Sequence, residues 1–250
     1  MSVRFTADGP VATITLDRPE ARNAIDAATG EALRAAMDRL ESDPALRVGI
    51  LAATGPVFCA GMDLRAFQDG EAEPILFGAH RLGGLVSRAR SKPLIAAIQG
   101  PALAGGFELV LACDITIAAP TARFGLPEPG LGLVAGAGGA MRLARRIPRA
   151  VAAKWLLTGE AMPAAEAAAL GLITETAEDP LARAQELAAR IARNAPGSLR
   201  ATLALMDAAL NESAAWEAND AQLRALIEAP DAREGALAFT EKRPPVWSDT

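Results

Sequence analysis

The sequence predicts an α/β fold of stacked strand–strand–helix units followed by a helical C-terminal segment, on three observations. Short apolar strand patterns recur, glycine-bearing turns follow them, and helical patterns open directly from those turns. After Gly159 the composition changes to nearly continuous alanine-rich helix, interrupted at Pro163, Gly171, Pro180, Pro196 and Pro230.

In chain order, residues 3–6 and 11–16 (V-A-T-I-T-L) alternate as strands around Asp8-Gly9, the composition of a hairpin turn. Asp26 offers an N-cap to an amphipathic helix running to about Leu40, with Ala32, Leu33, Ala36, Met37 and Leu40 on one face. An apolar strand at 48–52 leads into a turn at Gly61, and the polar stretch 68–74 (Q-D-G-E-A-E-P) reads as a mobile loop. The pattern then repeats: strand 94–99, a Gly/Pro/Ala loop, a helix from Gly105 to about Cys113, and strand 115–118. A boundary near residue 195 divides a core, 1–195, from a helical segment, 196–250.

A chain of 250 residues can bury a sizeable core as one α/β unit, or as a core with a small appendage. The net charge of -5, without an arginine run or an RNA-type aromatic motif, argues against a nucleic-acid partner. The N-terminus alternates like a strand and does not carry a charged segment before an apolar core, and no stretch offers 18 uninterrupted apolar residues. A cytoplasmic protein without membrane association is therefore expected. Cys59 and Cys113 lie in apolar contexts and, with a single histidine, make no metal pattern; they read as buried thiols of a reducing compartment.

The chemistry gathers in three places. Residues 57–65 (V-F-C-A-G-M-D-L-R) form a glycine turn after a strand, residues 104–108 (A-G-G-F-E) open a helix, and residues 124–128 (F-G-L-P-E) place a second carboxylate in a Gly/Pro-framed loop. Read alone, the glycines serve turns and helix packing, Glu108 is an acid favoured by the helix dipole, and Glu128 is a turn carboxylate. Yet both acids sit in apolar surroundings, where a carboxylate is costly without work or partners. Two exposed backbone donors and two acids suggest acyl-thioester chemistry, in which charge builds on the thioester oxygen.

The chain resembles the crotonase superfamily, the enoyl-CoA hydratase and isomerase fold, over nearly its full length. The matching pieces, in order, are I-T-L-D-R-P-E-A-R-N-A (14–24), F-C-A-G-M-D-L (58–64), I-A-A-I-Q-G-P-A-L-A-G-G-F-E-L-V-L-A-C-D (95–114), F-G-L-P-E (124–128), G-A-G-G-A-M-R-L (136–143) and E-G-A-L-A-F-T-E-K-R (234–243). The resemblance implies a crotonase-like spiral of ββα units whose C-terminal helices make trimer contacts, with trimers commonly stacked as hexamers. It makes Met62 N–H and Gly105 N–H the oxyanion donors, Glu108 the group that activates water and Glu128 the source of the α-carbon proton.

The same resemblance assigns coenzyme A and acyl contacts to Ala60, Asp63, Leu64, Arg65, Gly136, Phe239 and Lys242. Arg65 and Lys242 would serve the nucleotide phosphates, though either could be a solvated surface charge; Ala60 would face the adenine and Phe239 the acyl end. Coenzyme A enters as part of the substrate, and no separate cofactor is implied. Two glutamates favour a 2-enoyl-CoA hydratase over the dienoyl-CoA isomerases, dehalogenases and decarboxylases of the fold; an enoyl-CoA isomerase or a carnitinyl-type dehydratase is the alternative. The acidic balance with the intact donors and acids argues against a CoA-ester-binding or RNA-associated protein of low turnover. Ala104 in place of the first of three glycines, Phe107 beside the acid, and Ala135 where proline is frequent leave acyl-chain preference open. His80, the single histidine, reads as a surface residue in the variable 68–90 region.

Leu199, Leu203, Leu205, Met206, Leu210, Trp216, Leu223, Leu226 and Ile227 exceed what one side of one core would bury. Helices apolar on more than one face bury the excess against another chain. A homotrimer or hexamer is therefore expected, with Phe239 and Lys242 near bound acyl-CoA.

Overall fold

The computed structural model describes residues 1–210 and 213–246. Along the chain run β1 (Val3–Asp8), β2 (Val11–Leu16), α1 (Ala27–Ser42), β3 (Val48–Ala53), α2 (Leu64–Gln68), α3 (Ala72–Leu76), β4 (Leu94–Ile98), β5 (Ala102–Leu103), α4 (Gly105–Leu111), β6 (Ile115–Ala118) and β7 (Arg123–Gly125). They are followed by α5 (Gly139–Arg146), α6 (Arg149–Thr158), β8 (Ala161–Pro163), α7 (Ala164–Ala169), β9 (Glu175–Thr176), α8 (Pro180–Ile191), α9 (Pro196–Leu210), α10 (Ser213–Glu228) and α11 (Pro230–Glu241).

The main sheet has the order β1-β2-β3-β4-β6-β9, with β1 antiparallel to β2 and the other neighbours parallel. β5, β7 and β8 form a smaller sheet. The continuous apolar strands find their reason here: Val48, Ile50 and Ala52 of β3 face Ala184 and Ala188 of α8, while Leu51 joins the core packed with Leu33, Met37 and Leu40 of α1. A parallel sheet covered on both faces needs apolar residues at both phases of its pleat. α1 begins where its cap requires, with Asp26 accepting from Thr29 N–H at 2.7 Å.

Three expectations change. The 68–74 stretch is not one loop, since Gln68 ends α2 and Ala72 begins α3, with Asp63 capping the first of these helices through bonds from Arg65 and Ala66 N–H. The alanine-rich region after Gly159 contains two strands, β8 and β9, and β9 extends the main sheet through Ile117 opposite Glu175. At three and two residues they are too short to carry a period. Finally, not all the C-terminal apolar residues are surplus: Leu203 and Leu223 are buried, and Trp216 and Ile227 pack on the core of their own chain. Leu205 and Met206 are exposed, and the side chain of Leu210 lies outside the described residues.

Candidate active site

The Gly61 turn and the start of α4 are pressed together. Cys59 pairs with Ala102, Leu103 N–H donates to Cys59 O at 2.9 Å, and Phe58 N–H donates to Pro101 O at 2.9 Å, so 58–62 runs parallel to 101–105. At Gly61, φ is +95°, and a Cβ there would stand 2.7 Å from Ala104 Cβ and 2.8 Å from Gly105 N. A Cβ on Gly105 would stand 3.5 Å from Met62 N. Only glycine permits this approach, and it brings the Met62 and Gly105 amides side by side. Among the described residues neither N–H has a hydrogen-bond acceptor: Ile25 bonds the Gly61 O and Asp63 N–H that flank Met62, and Gly105 is the first residue of α4, where an amide has no acceptor within the helix. Gly105 N–H also stands at the positive end of α4.

The turn rests on residues that sequence reading quoted only as motif letters. Asn23, 1% exposed with φ 54°, accepts from Arg18 N–H and donates to Thr54 O and Val57 O, each within 2.9 Å. Arg18 pairs with Asp26 at 2.9 Å and Asp63 at 3.0 Å. Cys59 Sγ donates to Asn23 O and accepts from Gly61 N–H, and burial pushes its thiol up to about 12. Cys59 is thus a structural thiol, inert as a nucleophile at neutral pH.

Glu108 stands one turn after Gly105 and is 3% exposed. Its Oε1 accepts from Gly139 N–H at 2.8 Å, an approach that needs glycine because a Cβ on Gly139 would lie 2.9 Å from that oxygen. Burial raises its carboxyl to about 7, against the lowering effects of the Gly139 and Ala137 backbone bonds and the Arg142 charge. Glu128, 7% exposed, opens a 3-10 turn, Glu128–Leu131. Its Oε2 is buried without a hydrogen-bond partner among the described residues. Its carboxyl is held well above the ordinary range, first by burial and then by the charge of Glu108. Ionisation of one acid thus disfavours ionisation of the other.

The remaining residues assigned from resemblance are more dispersed. Ala60 donates its N–H to Arg22 O, and the Asp63 carboxylate is already engaged by Arg18 and the α2 cap. Leu64 and Arg65 open α2. Gly136 lies beneath α10: its carbonyl accepts from Asn219 Nδ2 at 2.6 Å, and a Cβ there would meet Leu223. Phe239 and Lys242 are exposed at the end of α11, and Gln68 Nε2 reaches Thr240 Oγ1 at 3.4 Å, so α2 with Arg65 borders the same edge. Phe107 is 5.3 Å from Phe124 between ring centroids and fills the core. His80 is exposed. Gly139 and Arg142 were missed as contributors to the site, although the glycine pair opening α5 repeats the signal of Gly105-Gly106.

Backbone donors free to receive a developing oxyanion, beside two buried carboxylates with raised proton affinity, are the parts of an enzyme working by acid–base chemistry. The chain belongs to the enoyl-CoA hydratase/isomerase family, whose model, described in those words, matches residues 6–250. A carnitinyl-CoA dehydratase of Proteus mirabilis is 41% identical over 257 residues, covering 98% of each chain. Among solved structures, a carnitinyl-CoA hydratase from Mycobacterium avium superposes with a TM-score of 0.94 at 41% identity, covering 100% of this chain and 99% of that one. An enoyl-CoA hydratase from Mycobacterium tuberculosis H37Rv gives 0.79 at 42% identity with the same coverage.

Proposed function

We propose that this protein is a hydro-lyase that adds water reversibly across the 2,3-double bond of an enoyl-CoA thioester. The observation that carries this reading is the unequal setting of the two buried acids: Glu108 Oε1 accepts from Gly139 N–H, whereas Glu128 Oε2 has no hydrogen-bond partner among the described residues. A buried carboxyl without a partner favours its neutral form, whereas one that accepts from an N–H is favoured ionised, so the reaction starts with the proton on Glu128. Ionised Glu108 takes a proton from water as its oxygen bonds to the β-carbon, and Glu128 delivers its proton to the α-carbon. Met62 and Gly105 N–H hold the thioester oxygen while negative charge accumulates there. Afterwards Glu108 is protonated and Glu128 ionised, and one proton passing between them restores the starting state.

The same steps in reverse dehydrate a 3-hydroxyacyl thioester, and the carnitinyl-CoA names of relatives at 41% identity favour such a substrate as a second reading. An isomerase can work with the Glu128-type acid alone, so the buried Glu108 weighs against it. The proposal includes a homotrimer or hexamer, to which exposed Leu205 and Met206 lend support, and coenzyme A arriving with the substrate and no other cofactor. Two buried free thiols agree with a cytoplasmic setting. No helix among the described residues is long and apolar enough to cross a membrane. A panel of 2-enoyl-, 3-enoyl-, 3-hydroxyacyl- and carnitinyl-CoA thioesters, followed by enoyl absorbance, tests the reading: hydration of at least one 2-enoyl thioester supports it, and double-bond migration alone refutes it.

A further inference from the structure

α10 is fastened to the segment that supports Glu108. Asn219 donates to Gly136 O, Leu223 covers Gly136, and Asp220 forms a two-point ion pair with Arg81. Between these anchors the Trp216 ring has the Arg81 guanidinium 4.4 Å from its centroid and the Arg142 guanidinium 5.4 Å from it. Arg142, 8% exposed, also donates through Nη2 to Val86 O. Its Nη1 lies over Gly138, where a Cβ would collide with it and come within 3.1 Å of the Trp216 ring. Gly138 precedes the residue whose N–H bonds Glu108, so the guanidinium, the indole and the acid meet at one loop.

We propose that Trp216 is a positioning residue for Glu108: from α10 it seats Arg142 beside the buried carboxylate, so that docking of the C-terminal segment keeps the water-activating acid ionised. The inference rests on the hydro-lyase reading for its kinetic consequence. An aromatic face attracts a guanidinium, most strongly where water is excluded. A nearby cation favours the charged form of a carboxyl. The charged groups facing Glu108 are few. α5 brings Arg142, Arg145 and Arg146, the last donating to Leu111 O at the far end of α4, and Glu128 comes from its turn; the Leu82–Gly84 turn packed on α4 is flanked by Arg81, already paired with Asp220, and β5 contributes only Ala102 and Leu103. Of these cations Arg142 is the one whose guanidinium lies over Gly138, next to the residue that bonds Glu108.

The test compares wild type with Arg142→Gln, Arg142→Lys, Trp216→Leu and Trp216→Phe. Two quantities are read: kcat/KM for a short 2-enoyl-CoA against pH, and the carboxyl titration of carbon-13 glutamate-labelled protein, with the Glu108 resonance identified by its loss in Glu108→Gln. Arg142→Gln should move the Glu108 titration and the acidic limb of the profile to higher pH by about one unit. Trp216→Leu should move both in the same direction by less, while Arg142→Lys and Trp216→Phe should restore most of the wild-type position. If Arg142→Gln does not fold, Trp216→Leu carries the test. A folded Arg142→Gln or Trp216→Leu with limb and titration both at wild-type positions overturns the proposal, even if turnover falls, because only packing was lost. A shifted titration in a protein that hydrates no enoyl-CoA would instead uphold the positioning and refute the hydro-lyase reading.

Discussion

The donor floor and the carboxylate wall of the site are held by different parts of the molecule. Met62 and Gly105 are fixed by bonds local to the core: Asn23, Cys59, Arg18 and the short parallel pairing of 58–62 with 101–105. The acids depend on the C-terminal helices. Gly235 of α11 lies against Leu131 O so closely that a Cβ would collide, Gly132 meets Asp231 in the same way, and α10 grips 136–139 above Glu108. The Met62 and Gly105 amides thus rest on the core, whereas the loops beside the two acids are packed under residues beyond 195.

The largest effects should come from the wall. Glu108→Gln and Glu128→Gln are each expected to slow hydration of a short 2-enoyl-CoA by about 10²- to 10⁴-fold with far-ultraviolet circular dichroism unchanged, as for loss of a positioned acid or base. Full turnover in Glu108→Gln would remove the two-acid mechanism. Truncation after residue 195 should give insoluble or inactive protein, since it strips the covering from Gly136 and the Glu128 turn; an active, soluble truncation would break the contrast between floor and wall.

The floor should respond next. Gly105→Pro deletes one donor outright and should cost about 10²- to 10³-fold in kcat. Near-normal activity in a folded variant would take Gly105 out of the site.

A pH effect on stability separates the two regions further. Burial raises Glu108 from 4.5 in the unfolded chain to about 7 in the fold. The folded protein binds this proton more tightly, so the associated stability is complete below about pH 4.5 and is lost as pH rises through about 7. Gln, which carries no charge to bury, should therefore make Glu108→Gln more stable than wild type at pH 8, on the order of 1–3 kcal/mol, with the gain vanishing near pH 4. Thermal melts at the two pH values check this; an equal difference at both would show that ionisation is not the cause.

The smallest change concerns Ala104. It has φ 50° and ψ -130°, a conformation that glycine adopts readily and a Cβ strains. Ala104→Gly should raise stability by at most about 1 kcal/mol, strain relief being offset by the greater freedom of glycine in the unfolded chain. A drop in melting temperature would mean that the Ala104 methyl, packed beside Gly61, contributes more than its strain costs.

The fold was legible where period and punctuation coincide: the hairpin, α1 with its Asp26 cap, β3, β4 and β6 lie close to where alternation and apolar runs put them. β8 and β9 were not, because strands of three and two residues owe their existence to neighbours already in place. In the site, the glycines at 61 and 105 and the acids at 108 and 128 could be read from local motifs, because each element presents its own chemistry. Arg142 and Trp216 could not, being 74 positions apart and joined only when α10 lies over α5. Nor could the engagement of Asp63 by Arg18, which joins two distant motifs. Resemblance named Asp63 and Gly136 as substrate contacts without revealing that one carboxylate caps a helix and the other residue's carbonyl holds Asn219.

The most direct test of the account is product analysis by mass spectrometry after turnover of a 2-enoyl-CoA in water labelled with oxygen-18. Wild type should yield a 3-hydroxyacyl thioester carrying one labelled oxygen at the β-carbon, and Glu108→Gln should form it at least about 10²-fold more slowly. A product with a displaced double bond and no labelled oxygen would contradict the account, leaving Glu128 as the sole proton carrier.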